Sequence, residues 1–244
     1  LIAFYPFGYP DLQSSLEIIE KLSEIADLVE IGLPFTDPTA DGPTIQGAYE
    51  LALKQGASLS KLLQSLEVLR LKSPALIMSY ANPVFRYGIE LLSKKVLTHG
   101  IVGFIIPDLP VEEKNYLLEQ KDNRLPVVLL ASPIDSPQRI EFIARSTEGF
   151  LYLVTSLGVT GVRDSFDALI FDLSERVKSK VRIPIAAGFG ISSPNQVRYL
   201  APHFEAFIVG SAIIKLVESS GKQEERLMLL EPFLKSLKEA GQKP

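Results

Sequence analysis

The chain has 244 residues, of which 46% are hydrophobic and 22% charged, a composition that excludes a disordered polypeptide and suits one large domain or two small ones. Twenty-five Lys and Arg against 29 Asp and Glu give a net charge of −4, so no global basic field exists to attract nucleic acid or an anionic membrane. The lack of Cys removes disulfides, thiolate nucleophiles and cysteine metal sites, two His argue against a histidine-rich metal centre, and no apolar run approaches the ~20 residues of a membrane helix.

Leu1-Ile2-Ala3-Phe4-Tyr5 reads as a strand and lacks the charged start of a secretion signal. A chain that starts at Leu is expected to begin inside a longer natural protein, and without Cys or an export signal its expected location is the cytoplasm. Further strands are predicted near 27–32, 75–80, 101–106, 126–131, 149–155, 182–187 and 205–209. They are rich in Val, Ile, Leu and Phe, as buried parallel strands are. Between them, helical spacing falls near 11–25, 43–55, 86–99, 111–121, 137–145, 163–179 and 193–200, with a final helical region over 211–240. Asp11 reads as a helix cap, and Ser136-Pro137 and Ser193-Pro194 as caps followed by a first helical Pro. Residues 57–71 are expected to add a helix. Strand–helix alternation of this count and length predicts a single (β/α)8 TIM barrel with extra helices over residues 1–244. A doubly wound open sheet is the competitor, and it is disfavoured because no GxGxxG follows the first strand.

In such a barrel chemistry sits at the C-terminal ends of the strands. Leu28-Val29-Glu30-Ile31-Gly32 puts a carboxylate inside an apolar strand. If Val29 and Ile31 pack under helices, Glu30 points into the barrel, where loss of water raises its pKa towards a value suited to giving and taking protons near neutrality. The other reading is an edge-strand Glu facing water. Asp41, in the Pro- and Gly-rich stretch 34–43, reads either as an acceptor for a ligand N–H or as the cap of the helix that follows. Gly188-Phe189-Gly190 and Val209-Gly210-Ser211 follow strands seven and eight, and Gly158-Val159-Thr160-Gly161 follows strand six. Such turns let backbone N–H groups approach an anion, so a phosphorylated ligand is expected there. Tyr80 and Tyr152 read as core aromatics, His99 and His203 lie away from the expected site, and the charges of 215–240 read as a solvated helical face.

These runs, together with Tyr80-Ala81-Asn82-Pro83-Val84-Phe85, Ile106-Pro107-Asp108-Leu109-Pro110 and Tyr87-Gly88-Ile89, resemble the tryptophan synthase alpha chain, in order and over about residues 4–215. The resemblance implies a retro-aldol lyase that cleaves indole-3-glycerol phosphate to indole and glyceraldehyde 3-phosphate. Indole then passes to a pyridoxal-phosphate-dependent beta subunit in an alpha-beta-beta-alpha heterotetramer, and the alpha chain holds no cofactor or metal. By motif position, Glu30 would be the acid–base and Asp41 would hold the indole N–H. Phe4, Tyr80, Tyr152, Thr160 and Phe189 would line the substrate, and Gly161, Gly190, Gly210 and Ser211 would hold its phosphate. Residues 34–41 and 158–164 would close over it and face the beta chain.

The chain departs from the family pattern in having Tyr9 where an Asp is usual in Gly-Asp-Pro, and Thr155-Ser156-Leu157 where an Arg is usual. A second reading follows from these departures: a catalytically weak alpha chain that serves mainly as an activating partner of the beta chain. A third is another phosphate-binding barrel, such as a sugar-phosphate epimerase or a phosphoribosyl-anthranilate isomerase. The epimerases require a metal-binding His set that this chain lacks.

Overall fold

The computed structural model describes residues 1–118, 124–154, 168–188 and 190–242. Its elements run β1 (Ile2–Pro6), α1 (Leu12–Ile25), β2 (Leu28–Gly32), α2 (Pro43–Lys54), α3 (Leu59–Ser65), β3 (Ala75–Met78), α4 (Ala81–Tyr87) and α5 (Ile89–Val96). Then come a 3-10 turn at Leu97–His99, β4 (Ile101–Ile105), α6 (Val111–Leu118), β5 (Val127–Ala131), α7 (Pro137–Ser146), β6 (Leu151–Val154) and α8 (Ala168–Lys180). The chain ends with β7 (Ile185–Gly188), α9 (Pro194–Leu200), β8 (Ala206–Val209), α10 (Ser211–Glu218) and α11 (Gln223–Ala240). The eight parallel strands follow one another in sequence order, and β8 pairs with β1 to close the barrel. The open doubly wound sheet is therefore excluded.

Both faces of these strands are covered, which is why they read as apolar runs and not as alternating ones. The helices begin where short polar side chains meet free N–H groups. The Asp11 carboxylate accepts from the Ser14 N–H at 2.8 Å, Ser136 caps α7, and Ser193 and Gln196 close a reciprocal capping box on α9. Pro43, Pro137 and Pro194 each occupy a first helical turn, where the missing N–H costs nothing.

Three boundaries differ from the sequence reading. A helix expected over 86–99 starts at Ala81, because Pro83 falls in its first turn and the Asp108 carboxylate accepts from the Ala81 N–H at 2.8 Å. It is then cut at Gly88, whose φ of +89° no helix accommodates. The region 211–240 is two helices, α10 and α11, separated at 219–222. The added helix at 57–71 is confined to α3.

The last helix, α11, seals the barrel's flank. Leu230, Leu234 and Leu237 are fully buried where it packs on α1, α9 and α10. Each such leucine contributes roughly 1.5–3 kcal/mol. Its ion pair from Glu231 to Lys21, at 2.8 Å, lies near the surface and adds little.

Candidate active site

Register sets the site. Glu30 pairs across the sheet with Phe4 on β1 and Leu76 on β3, so the three side chains share a face. Because β2 is bonded on both sides, the edge-strand reading of Glu30 fails: its side chain is completely buried. Neither carboxylate oxygen has a hydrogen-bond partner among the described residues. Loss of water alone pushes its pKa up to about 8.

Asp41 is also buried, and it is not a helix cap. The position before α2 is Gly42, which offers no side-chain cap, and one Asp41 oxygen instead accepts from the Tyr80 hydroxyl at 2.7 Å. Its other oxygen, Oδ1, is enclosed and has no hydrogen-bond partner among the described residues. Burial raises this carboxyl to about 6, against the lowering effect of the Tyr80 hydrogen bond. Tyr80 accepts from the Ala40 N–H at 3.0 Å and stacks on Phe35 with ring centroids 4.9 Å apart, so this phenol helps to hold the loop between β2 and α2, to which the Gln46 amide also donates at the Asp41 carbonyl, at 2.7 Å. The pair of carboxyls is therefore split: near neutrality one holds its proton and the other is mostly ionised.

A cavity of about 340 Å³ opens beside these groups. Its lining includes Phe4, Asp41, Ile45, Met78, Tyr152 and Ile208 together with Gly190, Ser192, Gly210, Ser211 and Lys215. Glu30 is not on its wall. It is linked to it by Phe4, its cross-strand neighbour, and by Tyr152, whose hydroxyl burial raises well above the usual range, helped by the charges of Glu30 and Asp41.

Missing Cβ atoms make this space. A Cβ at Gly32 would lie 2.6 Å from the Tyr49 Oη and 2.7 Å from the Phe4 ring, one at Gly210 would lie 2.7 Å from Phe4 Cδ1, and one at Gly188 would overlap the Tyr152 ring. Gly190 has a φ of +79° and Gly210 directly precedes α10, so the first free N–H groups of that helix face the cavity.

Of the residues expected at the site, Phe4, Asp41, Tyr152, Gly190, Gly210 and Ser211 line the same cavity. Tyr80 holds Asp41 from outside it, and Glu30 lies enclosed next to it. Thr160, Gly161 and Phe189 lie outside the described residues, as does the stretch 158–164. Sequence reasoning missed Tyr49, whose hydroxyl reaches the space left by Gly32, and the fact that Lys215, an exposed residue, also borders the cavity. A Lys one turn after a Gly-Ser helix start was the available signal for the latter. His99 and His203 neighbour Glu67 and Glu175, away from the cavity. Among the described residues no three His, Asp or Glu are grouped to hold a metal ion.

The model of the tryptophan synthase alpha chain matches residues 1–241. The chain belongs to the tryptophan synthase alpha-chain family. An alpha chain from Solibacter usitatus is 40% identical over 98% of this chain and 91% of its own length, and one from Petrotoga mobilis is 38% identical over 98% and 94%. Among solved structures, tryptophan synthase from Mycobacterium tuberculosis superposes with a TM-score of 0.88 at 31% identity, covering 100% of this chain and 92% of that one. The tryptophan synthase a2b2 complex from Pyrococcus furiosus gives 0.88 at 32%, covering 98% and 97%. Against the family pattern, Tyr9 stands in place of an Asp. It is buried, and its hydroxyl donates to the Glu218 carboxylate of α10 at 2.9 Å.

Proposed function

We propose that Glu30 and Asp41 divide the chemistry of this lyase between them. The chain is the alpha subunit of tryptophan synthase, a carbon–carbon lyase that cleaves indole-3-glycerol phosphate to indole and glyceraldehyde 3-phosphate. In our reading the Asp41 carboxylate accepts the indole N–H and stabilises positive charge as the ring is protonated. Glu30, which holds its proton near neutrality, gives it to the indole ring carbon that bears the side chain. The resulting iminium is an electron sink. Glu30 then takes the proton of the adjacent side-chain hydroxyl, the carbon–carbon bond breaks towards the ring, and the aldehyde leaves. The proton given and the proton taken balance, so no external acid or base is consumed.

Phe4 and Tyr152 would pack the bicycle, with Thr160 and Phe189 completing that wall, while Tyr80 acts through Asp41 as a positioning residue. Gly190, Gly210, Ser211 and Gly161 would hold the phosphate, and its binding energy, remote from the reacting bond, serves orientation. The stretches 34–41 and 158–164 would close over the substrate. The barrel and its flanking helices are read as one domain over 1–244 with no cofactor of its own. Its expected partner is a pyridoxal-phosphate-dependent beta subunit in an alpha-beta-beta-alpha assembly, and its expected location is the cytoplasm. The a2b2 complex named for the Pyrococcus furiosus neighbour supports the partner. No described helix is long and apolar enough to cross a membrane.

The observation that carries this reading is the pair of enclosed carboxyls with split pKa values next to a cavity lined in part by the N-terminus of α10. The test is indole release from indole-3-glycerol phosphate by the full chain, alone and with a beta chain. Glu30→Gln is expected to lower kcat by ~10²-fold or more, with substrate binding retained. Unchanged release would remove Glu30 from its role. Little release by the parent chain, with a clear rise in beta-chain condensation, would favour the weak activating partner instead.

A further inference from the structure

One charged residue of the cavity wall has no part in the chemistry above. Among the described lining residues only Asp41 and Lys215 carry charge, and they stand on different elements, the loop before α2 and the second turn of α10. Lys215 follows Ser211 by four positions, so both lie on one face of α10. Helical side chains lean towards the N-terminus, which runs the Lys215 stem back towards the Gly210-Ser211 amides. Lys215 is exposed, and among the described residues its ammonium has neither a hydrogen bond nor an ion pair, although Glu218 lies one turn further on and is taken by Tyr9.

A phosphate monoester carries close to two negative charges. The amides and hydroxyl at Gly190, Gly210 and Ser211 offer oriented dipoles but no net charge, and the remaining ionised group of the wall is the Asp41 carboxylate. Drawing a dianion into a largely apolar space that already holds a carboxylate is costly unless a cation meets it. We propose that Lys215 is the countercharge of the substrate phosphate and fixes both the preference for a phosphorylated substrate and its direction in the cavity, N–H towards Asp41 and anion towards α10. The proposal rests on the phosphate reading of Gly190, Gly210 and Ser211.

Two variants of the full chain, Lys215→Met and Ser211→Ala, separate the proposal from that reading. The measurements are the Kd of inorganic phosphate by calorimetry, and kcat/KM for indole-3-glycerol phosphate and for its dephosphorylated analogue indoleglycerol. Lys215→Met is expected to weaken phosphate about tenfold and to lower the ratio of the two kcat/KM values by a similar factor, mostly through KM; Lys215→Arg restores most of both. A general loss of structure would lower both substrates alike and leave the ratio unmoved. If Ser211→Ala weakens phosphate and Lys215→Met does not, the assignment of Lys215 is overturned and the phosphate site stands. If neither variant affects phosphate, the site itself has been misread and the proposal falls with it.

Discussion

Asp41 owes its position and its acidity to a neighbour thirty-nine residues away. The Tyr80 hydroxyl donates to one carboxylate oxygen and the Tyr80 ring packs on Phe35, so this side chain both helps to fix the loop and favours the ionised carboxyl. Removing that hydroxyl leaves burial unopposed. Tyr80→Phe is therefore expected to raise the Asp41 pKa and to move the acid limb of the kcat/KM profile upwards from about 6, while the alkaline limb, set by Glu30 near 8, stays in place. At a pH near the parent's acid limb the loss should be roughly two- to tenfold, and it should shrink at a higher pH. A uniform loss at all pH values would mean that Tyr80 acts through loop geometry alone. At this scale the sequence showed an acid inside an apolar strand, with an inward and an edge-strand reading of Glu30 both open. Its true solvent exposure was not legible, because that depends on both neighbouring strands being present.

At the level of elements, α10 matters because its N-terminus lines part of the cavity, and its other end is tied down from the first βα loop. The Tyr9 hydroxyl donates to Glu218 in the last turn of α10, where a carboxylate is disfavoured by the helix dipole unless something receives it. Burial, together with this same contact, pushes the Tyr9 phenol up to about 12. Tyr9→Phe is expected to cost ~1–2 kcal/mol in urea unfolding, with Glu218→Gln costing less because the amide still accepts. Equal stability of parent and Tyr9→Phe would show the tie to be idle. Helix starts were readable because Asp11, Ser136 and Ser193 act on N–H groups three residues away. Helix breaks were harder: Gly88 and the gap at 219–222 interrupt sequences whose apolar spacing continues through them. Lys215 escaped for a related reason. It does sit on a wet face, and the residues that line the cavity with it come from distant segments that include the loop after β2 and β1, β6 and α11.

For the whole molecule, two buried carboxyls with raised pKa values set a dependence of stability on pH. The folded chain keeps a proton on Glu30 that the unfolded chain releases above its ordinary value of 4.5, so between there and about 8 the native state binds more protons. Stability from this source is complete below 4.5 and is lost as pH rises through about 8. Asp41, raised from 3.8 to about 6, acts in the same direction over its own range. Glu30→Gln, which cannot ionise, should flatten the dependence: relative to the parent its Tm should climb as the pH is taken from about 5 to above 8, by an amount reflecting a few kcal/mol in order. A difference that stays constant across that range would mean that the carboxyl is hydrated. The barrel itself was readable from eight apolar runs, since closure demands strands buried on both faces; the direction of each ring inside it was not. Gly32, Gly188 and Gly210 come from three strands or strand ends, β2, β7 and β8, and each yields its missing methyl to a ring from another element. The stagger of those strands is thus also a ruler: slide one by a single residue and a side chain arrives where an aromatic now rests, so the space beside those rings is measured by the sheet's own hydrogen bonds.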